Sequence, residues 1–188
     1  MDRLQTFVGL LEKWNPKINL VSKSTIPDLW TRHIQDSLQV FNLIQNAPDH
    51  WVDLGTGGGF PGIVAAICGS ETGMHTTLVE SDHRKCAFLR TVVREVGLNA
   101  KVLSERIEET APLNADVLSA RALADLPTLL GFAQRHSIAD GIALFPKGKS
   151  WNTELVNARE NWNFTYVAHK SETDAEAVVL EIREIARV

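Results

Sequence analysis

The segment from residue 51 to residue 69, WVDLGTGGGFPGIVAAICG, holds five glycines between Gly55 and Gly62. They lie between a short apolar run that is typical of a buried strand and a second apolar run that is typical of a helix. Glycine within a regular element costs stability, so a cluster at such a junction indicates a tight turn or a ligand pressed against the backbone. The segment therefore predicts a strand, a turn and a helix, with a bound molecule close to the turn.

Apolar and amphipathic runs alternate from residue 50 onward. They predict strands at 50–54, 75–80, 100–103, 115–119, 141–146, 163–168 and 177–185, helices at about 60–68, 82–96, 125–136 and 151–161, and a short turn near 106–110. This alternation indicates a Rossmann-like α/β fold, with a mostly parallel seven-stranded sheet between two layers of helices. Because no helix fits between the last two strands, we expect a terminal hairpin that places one antiparallel strand in the sheet.

Residues 1–46 predict a small helical extension that packs on the body of the protein, residues 47–188, which we expect to be a single structural unit. The first helix has an apolar stripe made of Leu4, Phe7, Val8, Leu11 and Trp14. A second helix is expected to begin near Ser24 or Thr25, with Pro27 in its first turn and a buried stripe of Leu29, Trp30, Ile34, Leu38 and Phe41. Trp14, Trp30 and Trp51 are all expected in the core.

Composition and charge exclude several classes of protein. Of the 188 residues, 44% are hydrophobic and 22% are charged, as in ordinary single-domain globular proteins. No apolar stretch reaches the ~18 residues of a membrane span, and the charged N-terminus is unlike a signal peptide, so we expect a cytoplasmic protein without a membrane partner. A formal net charge of -4 argues against a surface covered with positive charge that would bind long nucleic acid, but it permits local basic patches.

Cysteine and histidine usage gives no sign of a metal site. The two cysteines, Cys68 and Cys86, fall in predicted helices and are expected to be buried thiols. No cysteine and histidine residues have the spacing of metal ligands, so we expect no metal. Since no feature indicates an obligate dimer, we expect a monomer.

The glycine spacing distinguishes between two cofactor classes. A nicotinamide cofactor favours G-x-G-x-x-G, and this chain has Phe60 where the third glycine would stand. The observed pattern, Asp53-x-Gly55-x-Gly57-x-Gly59, resembles motif I of the class I S-adenosylmethionine-dependent methyltransferases. Glu80, at the end of the second strand, can accept hydrogen bonds from ribose hydroxyls in either class. The predicted helix start near Phe60 favours a negative group at the same place.

Several separated stretches carry a closer resemblance. They are KWNPKINLVS at 13–22, RHIQDSL at 32–38, VDLGTGGGFPGI at 52–63, KCAFLR at 85–90 and SARALADLPTLL at 119–130. Together they resemble the bacterial small-subunit ribosomal RNA guanine-N7 methyltransferases, once called the glucose-inhibited division protein B family. The resemblance runs from the first helix to the last strand. It implies a class I methyltransferase fold, S-adenosylmethionine as cofactor, and 16S ribosomal RNA or the small ribosomal subunit as partner.

The resemblance also implies roles for individual residues. It places Gly55 and Phe60 against the cofactor in the glycine loop, and Ile107 and Glu108 beside the adenine. The class I motif adds Asp53, Gly57 and Gly59 to the predicted cofactor contacts, and Glu80 joins them as the acceptor for the ribose hydroxyls. Arg121 is expected to face the methyl-transfer pocket, and we count it both as a cofactor contact and as the catalytic residue. Guanine N7 has an in-plane lone pair and no proton to lose, so transfer needs placement and electrostatics rather than a general base.

Basic residues indicate where RNA could be bound. Arg32, His33 and Lys147 are predicted substrate contacts, with Asp36 pairing with Arg32 across one helical turn and orienting the pair. A structural tie between the N-terminal extension and the body is the alternative role for RHIQDS.

Three other functions compete with an RNA methyltransferase. A small-molecule methyltransferase of the same fold would not depend on RNA, and an RNA-binding assembly factor would keep the fold without using the cofactor. A dehydrogenase is disfavoured by Phe60. A binding titration tests these alternatives, since S-adenosylmethionine should bind and NAD should not.

Overall fold

The computed structural model describes residues 3–46 and 48–188. Seven strands form one sheet: β1 His50–Leu54, β2 His75–Val79, β3 Ala100–Leu103, β4 Ala115–Ala120, β5 Ser137–Lys147, β6 Trp162–Lys170 and β7 Val178–Arg187. Their order is β3-β2-β1-β4-β5-β7-β6. Strand β7 runs antiparallel to both of its neighbours, while the other pairs are parallel. The predicted terminal hairpin and the single antiparallel strand are confirmed.

Six α-helices accompany the sheet: α1 Arg3–Ile18, α2 Asp36–Asn42, α3 Gly62–Cys68, α4 His83–Val96, α5 Leu126–His136 and α6 Trp151–Ala158. Local signals in the sequence explain several of their ends. The carboxylate of Asp82 accepts the free backbone N–H groups at the start of α4, and Gly97, at φ 69°, ends that helix in the left-handed conformation. Asp125 caps α5 in the same way as Asp82 caps α4. Helix α5 passes directly into β5, which therefore begins at Ser137 rather than at 141.

The segment before α2 differs from the predicted second helix. A short 3-10 turn, Lys23–Thr25, is followed by a π-helical turn, Trp30–Gln35, that leads into α2. The wider π turn places residues five apart on one face, so Leu29 and Ile34 are 2% and 1% exposed. Trp30 is 48% exposed, and its expected place in the core is wrong because that expectation assumed a regular α-helical repeat.

Helix α1 belongs to the hydrophobic core. Phe7 and Leu11 are fully buried, and the Phe7 ring lies 5.2 Å from Phe60 and 6.4 Å from Phe88. On the same face of the sheet, Trp51 is fully buried as expected, with its ring 5.8 Å from Phe41 of α2, and it donates a hydrogen bond to Ser119 at 2.9 Å. The N-terminal segment therefore covers one face of the sheet close to the glycine loop.

Candidate functional site

The glycine loop between β1 and α3 is anchored from below by Asp53. This side chain is fully buried, and its two oxygens accept hydrogen bonds from Ser119 Oγ at 2.6 Å and from the Gly62 backbone N–H at 3.0 Å. Burial raises the pKa of Asp53 to about 6, although these hydrogen bonds act in the opposite direction. A Cβ on Gly62 would lie 2.6 Å from the Asp53 carboxylate. Glycine at position 62 therefore permits close packing of α3 against β1.

This arrangement gives Asp53 a structural role. Its carboxylate occupies the N-terminus of α3, where a negative group of the ligand was expected. It does not line either of the two cavities described below, because both of its oxygens are bonded to interior groups. The contact of Asp53 with a cofactor stays a prediction.

A first cavity of about 380 Å³ lies above the carboxyl ends of β1, β2, β3 and β4. It brings together five of the predicted residues: Gly55, Gly57, Glu80, Ile107 and Glu108. The remaining wall consists of Val79, Ser81, Lys85, Glu105, Arg106, Ala122, Leu123, Ala124, Thr128 and Phe132. The volume lies within the range of small-molecule sites, and the wall combines charged side chains with apolar ones.

Two features of the first cavity fit a ligand with a ribose. Gly57 is left-handed at φ 56°, and a Cβ there would meet no protein atom closer than 3.8 Å, so the space beside it is open. Glu80 accepts hydrogen bonds from the Gly57 backbone N–H at 3.0 Å and from the Asp82 backbone N–H at 2.8 Å. Each carboxylate oxygen keeps a further lone pair, with which Glu80 can accept hydroxyl groups.

Gly59 and Phe60 do not line the first cavity, and their contact with the cofactor stays a prediction. The chain turns inward after Gly57, and a Cβ on Gly59 would lie 2.7 Å from the Ile63 side chain. Phe60 is 3% exposed, and its ring stacks on His33 at 5.0 Å. These two positions support the N-terminal segment.

A second cavity of about 400 Å³ lies beside the first, over the ends of β4, β5 and β7. Its wall consists of Arg32, Asp36, Arg121, Ala122, Ala124, Pro146, Lys147, Gly148, Glu154, Ser171, Thr173, Asp174, Ala177, Val178 and Val179. Ala122 and Ala124 occur in both walls, so the two cavities meet at the segment that follows β4. Ala122 has φ 52°, a conformation that L-residues adopt at a cost of strain.

Arg121 connects this segment to the N-terminal residues. Its guanidinium donates to Asp36 Oδ2 at 3.0 Å and to His33 Nδ1 at 3.0 Å, and lies 5.2 Å from the Phe60 ring centre. The predicted ion pair between Arg32 and Asp36 is wrong, since Asp36 pairs with Arg121 and Arg32 is exposed. The alternative role, a structural tie between the extension and the body, is the one observed.

Arg121 lines the second cavity and not the first. Its contact with the cofactor stays a prediction. The Arg121 side chain extends toward α2, where it binds Asp36, and the residue after it, Ala122, is left-handed. The cation therefore lies at the second cavity, next to the segment that the two cavities share.

His33 is held as a neutral imidazole. Since a guanidinium only donates, His33 Nδ1 accepts from Arg121, and Nε2 then donates to Thr25 Oγ1 at 2.9 Å. Burial, followed by the charge of Arg121, lowers the pKa of His33 to about 4. His33 thus supports Arg121 from behind, and it does not line the second cavity, where a substrate contact was expected.

Lys147 has a structural partner within the protein. Its amino group donates to Glu154 Oε2 at 2.7 Å and to the Ala124 backbone oxygen at 2.8 Å, and the side chain is 8% exposed. Glu154 Oε2 also accepts from the Leu126 backbone N–H at 2.9 Å. The pair holds the segment 124–126 in place and gives Lys147 a structural partner, while its contact with a substrate phosphate stays a prediction.

The sequence argument missed several residues of the walls. Leu123 lies against Gly55 and belongs to the stretch after β4, where the quoted pattern could have revealed it. Glu154, Thr173 and Asp174 lie far from the glycine loop in the sequence and carry no pattern of their own. Within 3–46 and 48–188, three or more metal-ligating side chains do not converge anywhere, and none of the helices there is long and apolar enough to cross a membrane.

Comparisons with known proteins give a consistent family. The family described as rRNA small subunit methyltransferase G matches residues 1–183. Ribosomal RNA small subunit methyltransferase G of Ruegeria pomeroyi is 56% identical over 191 residues, which cover 100% of this chain and 92% of the relative. The protein with the same name from Paramagnetospirillum magneticum is 48% identical and covers 100% of this chain and 90% of the relative.

Solved structures share the fold at low sequence identity. A methyltransferase from Geobacter sulfurreducens superposes with a TM-score of 0.64 at 14% identity, covering 95% of this chain and 88% of the other. An O-methyltransferase from Bacillus cereus, solved in complex with SAH, has a TM-score of 0.62 at 14% identity and covers 95% and 90%. The expected class I methyltransferase fold is confirmed.

Proposed function

Because the chain belongs to the rRNA small subunit methyltransferase G family, we propose that it transfers a methyl group from S-adenosylmethionine to N7 of a guanine in 16S ribosomal RNA. The observation that carries this proposal is the pair of cavities that meet at Ala122 and Ala124. In the proposal, the first cavity holds the cofactor and the second receives the acceptor base.

The residues of the first cavity fit the cofactor. Glu80 is suited to the ribose hydroxyls because it lies at the end of β2 with accepting lone pairs. Ile107 offers an apolar surface for the adenine, and the open space beside Gly57 lets the cofactor lie close to the protein backbone. S-adenosylmethionine supplies an activated methyl group on a sulfonium centre.

The shared segment fits a transfer that needs no general base. Ala122 and Ala124 have no side chain that could accept a proton. Two acidic groups of the second cavity, Asp36 and Glu154, are paired with Arg121 and Lys147, and the third, Asp174, belongs to the loop on the side opposite the shared alanines. Guanine N7 loses no proton on methylation, so the protein contributes placement and electrostatics to a direct attack.

The experiment uses S-adenosylmethionine with a labelled methyl group. The protein is incubated with small ribosomal subunits from cells that lack this modification, and with the free RNA, and the labelled nucleoside is then identified by mass. Label in 7-methylguanosine supports the proposal. If the cofactor binds but neither RNA form takes up label, a small-molecule methyltransferase or a noncatalytic assembly factor becomes the better interpretation.

A further inference from the structure

The loop between β6 and β7, residues 171–177, forms the wall of the second cavity that lies farthest from the first. It contributes Ser171, Thr173, Asp174 and Ala177 to the wall. In the sheet, β4 is followed by β5 and then β7, so the shared alanines stand on one side of the second cavity and this loop on the other. A base that presents its reacting atom to the shared alanines therefore presents its opposite edge to the loop.

Helix α2 holds this loop in a defined position. Gln39 donates to the Lys170 backbone oxygen at 2.6 Å and accepts from the Glu172 backbone N–H at 3.0 Å. Thr173 Oγ1 donates to Asp36 Oδ1 at 3.3 Å, while the other oxygen of Asp36 binds Arg121. The same short helix thus fixes the two opposite sides of the second cavity relative to each other.

Three carboxylates belong to the wall of the second cavity, and they differ in their partners. Asp36 pairs with Arg121, and Glu154 pairs with Lys147. Asp174 accepts a hydrogen bond from the Glu176 backbone N–H at 3.0 Å, and none of the ion pairs found in the described part of the chain includes it. Its carboxylate is exposed and keeps lone pairs with which it can bind a donor.

A base that is methylated at N7 has to be recognised through another edge, because N7 must stay free for the reaction. In guanine, N1–H and the N2 amino group lie at the end of the ring system opposite N7, and they are two neighbouring donors. A carboxylate can accept both of them, and such charge-assisted hydrogen bonds are strong. Adenine presents an acceptor at N1 and has no N2 amino group, so a carboxylate there selects against it.

We propose that Asp174 is a specificity-determining residue, which accepts N1–H and the N2 amino group of the acceptor guanine. The inference rests on the proposed function. It adds the edge by which the base is recognised and the residue that recognises it.

The test compares guanosine with inosine at the methylated position. Inosine has the same N7 and N1–H but lacks the N2 amino group. Small subunits are reconstituted with 16S ribosomal RNA that carries either nucleoside there, and kcat/KM is measured with the full-length protein. The wild type should prefer guanosine by about tenfold, as expected for a hydrogen bond to a charged group.

The variant Asp174→Ala loses both hydrogen bonds, so kcat/KM on guanosine should fall by about a hundredfold. It should show nearly equal kcat/KM for the two substrates, with an unchanged Kd for S-adenosylmethionine. Asp174→Asn should also lose the preference, because its amide group cannot accept both donors. Glu172→Gln removes an exposed charge from the same loop outside the cavity wall, and it should keep the wild-type preference.

An Asp174→Ala protein that retains the wild-type preference for guanosine would overturn this inference and leave the proposed function standing. A wild-type protein that forms no 7-methylguanosine at all removes the proposed function, and this inference falls with it. The two failures can be told apart, because the first is measured with the Asp174→Ala variant and the second with the wild-type protein.

Discussion

Asp53 shows how one side chain shapes the site without lining it. The buried carboxylate ties the end of β1 to Ser119 in β4 and to the first N–H of α3. The glycine loop is thereby fixed from the interior, and Gly55 and Gly57 face the first cavity. The acid of the motif thus positions the loop that borders the proposed cofactor site.

Gly57 provides the most direct test of the first cavity. We expect Gly57→Trp to fill the open space beside the loop, to abolish binding of S-adenosylmethionine and to abolish methyl transfer. The left-handed φ of 56° adds strain of about 1–2 kcal/mol for a non-glycine residue, so the protein should unfold at a somewhat lower temperature but remain folded. Binding is measured by titration calorimetry and folding by circular dichroism.

Gly73→Trp is the matched control, since Gly73 is also left-handed, at φ 85°, with open space around it, and stands just before β2. It should carry a similar strain and bind the cofactor normally. Normal methyl transfer by a folded Gly57→Trp protein would show that the cofactor binds elsewhere.

A substitution of Lys147 tests whether this residue forms a structural ion pair or contacts a phosphate. We expect Lys147→Met to leave Glu154, whose side chain is 21% exposed, without its cation and to lower the free energy of unfolding by about 1–2 kcal/mol. Lys149→Met, at an exposed neighbour, should change it by less than about 0.5 kcal/mol. Both values come from urea denaturation.

The salt dependence of RNA binding by the same variant tests the alternative role of Lys147, a contact with a phosphate. If Lys147 contacted a phosphate, Lys147→Met would reduce the slope of log K against log salt by about one unit. We expect no such change. A reduced slope together with unchanged stability would restore the role that the sequence first indicated.

At the scale of elements, the π turn and α2 connect parts of the chain that lie far apart in sequence. Residues 33, 36 and 39 follow one another at a spacing of three and are therefore close on one helix face. From this face Asp36 binds Arg121, and Gln39 binds the loop after β6. The N-terminal segment is thus a part of the site's framework.

This connection should depend on pH through His33. In the folded protein its pKa is about 4, against an ordinary value of 6.5. Between these values the unfolded chain binds a proton that the folded protein does not, so stability is present above pH 6.5 and decreases as the pH falls toward 4. Arg121 and Arg32 oppose protonation of the ring and Asp36 favours it, with burial as the largest cause.

We expect the unfolding temperature of the wild type to decrease more steeply between pH 7 and pH 4.5 than that of His33→Gln, whose side chain has no charge at any of these pH values. Comparing the two proteins cancels the opposite contribution of Asp53, whose raised pKa of about 6 favours the folded state at low pH. If the unfolding temperatures of the two proteins change in parallel with pH, the neutral state of His33 is contradicted.

At the scale of the whole molecule, residues 3–46 and the body share one core. Phe7 and Leu11 of α1 are fully buried against α3 and α4, beside Phe60 and Phe88. We propose that the two regions fold together, as a single cooperative unit.

Deletion of residues 1–22 should therefore expose this apolar surface and abolish cooperative thermal unfolding, followed by circular dichroism and by dye binding. In the full chain, Phe7→Ala should lower the free energy of unfolding by about 3–5 kcal/mol, and Glu12→Ala, on the exposed side of α1, by less than about 0.5 kcal/mol. A truncated protein that unfolds cooperatively at the wild-type temperature would show that the body folds alone.

Local patterns in the sequence were sufficient for the fold class. Strand and helix periodicity, Asp82 and Gly97 at the ends of α4, and the short connection before β7 depend on residues close in sequence. Local patterns also placed Gly55, Gly57 and Glu80 at one cavity, because the carboxyl ends of parallel strands meet at one edge. The π turn was missed, since nothing in the local spacing distinguishes it from an α-helix.

The sequence by itself determined the order of the elements, the glycine turn and the family, because these follow from short-range periodicity and from quoted motifs. The tertiary structure decided the partners of the charged groups. Asp36 stands four residues from Arg32, yet it binds Arg121, which is 85 residues away. An exposed pair at helical spacing contributes a few tenths of a kcal/mol, whereas a half-buried carboxylate without a cation is far more costly, so the packing of distant elements selects the pair.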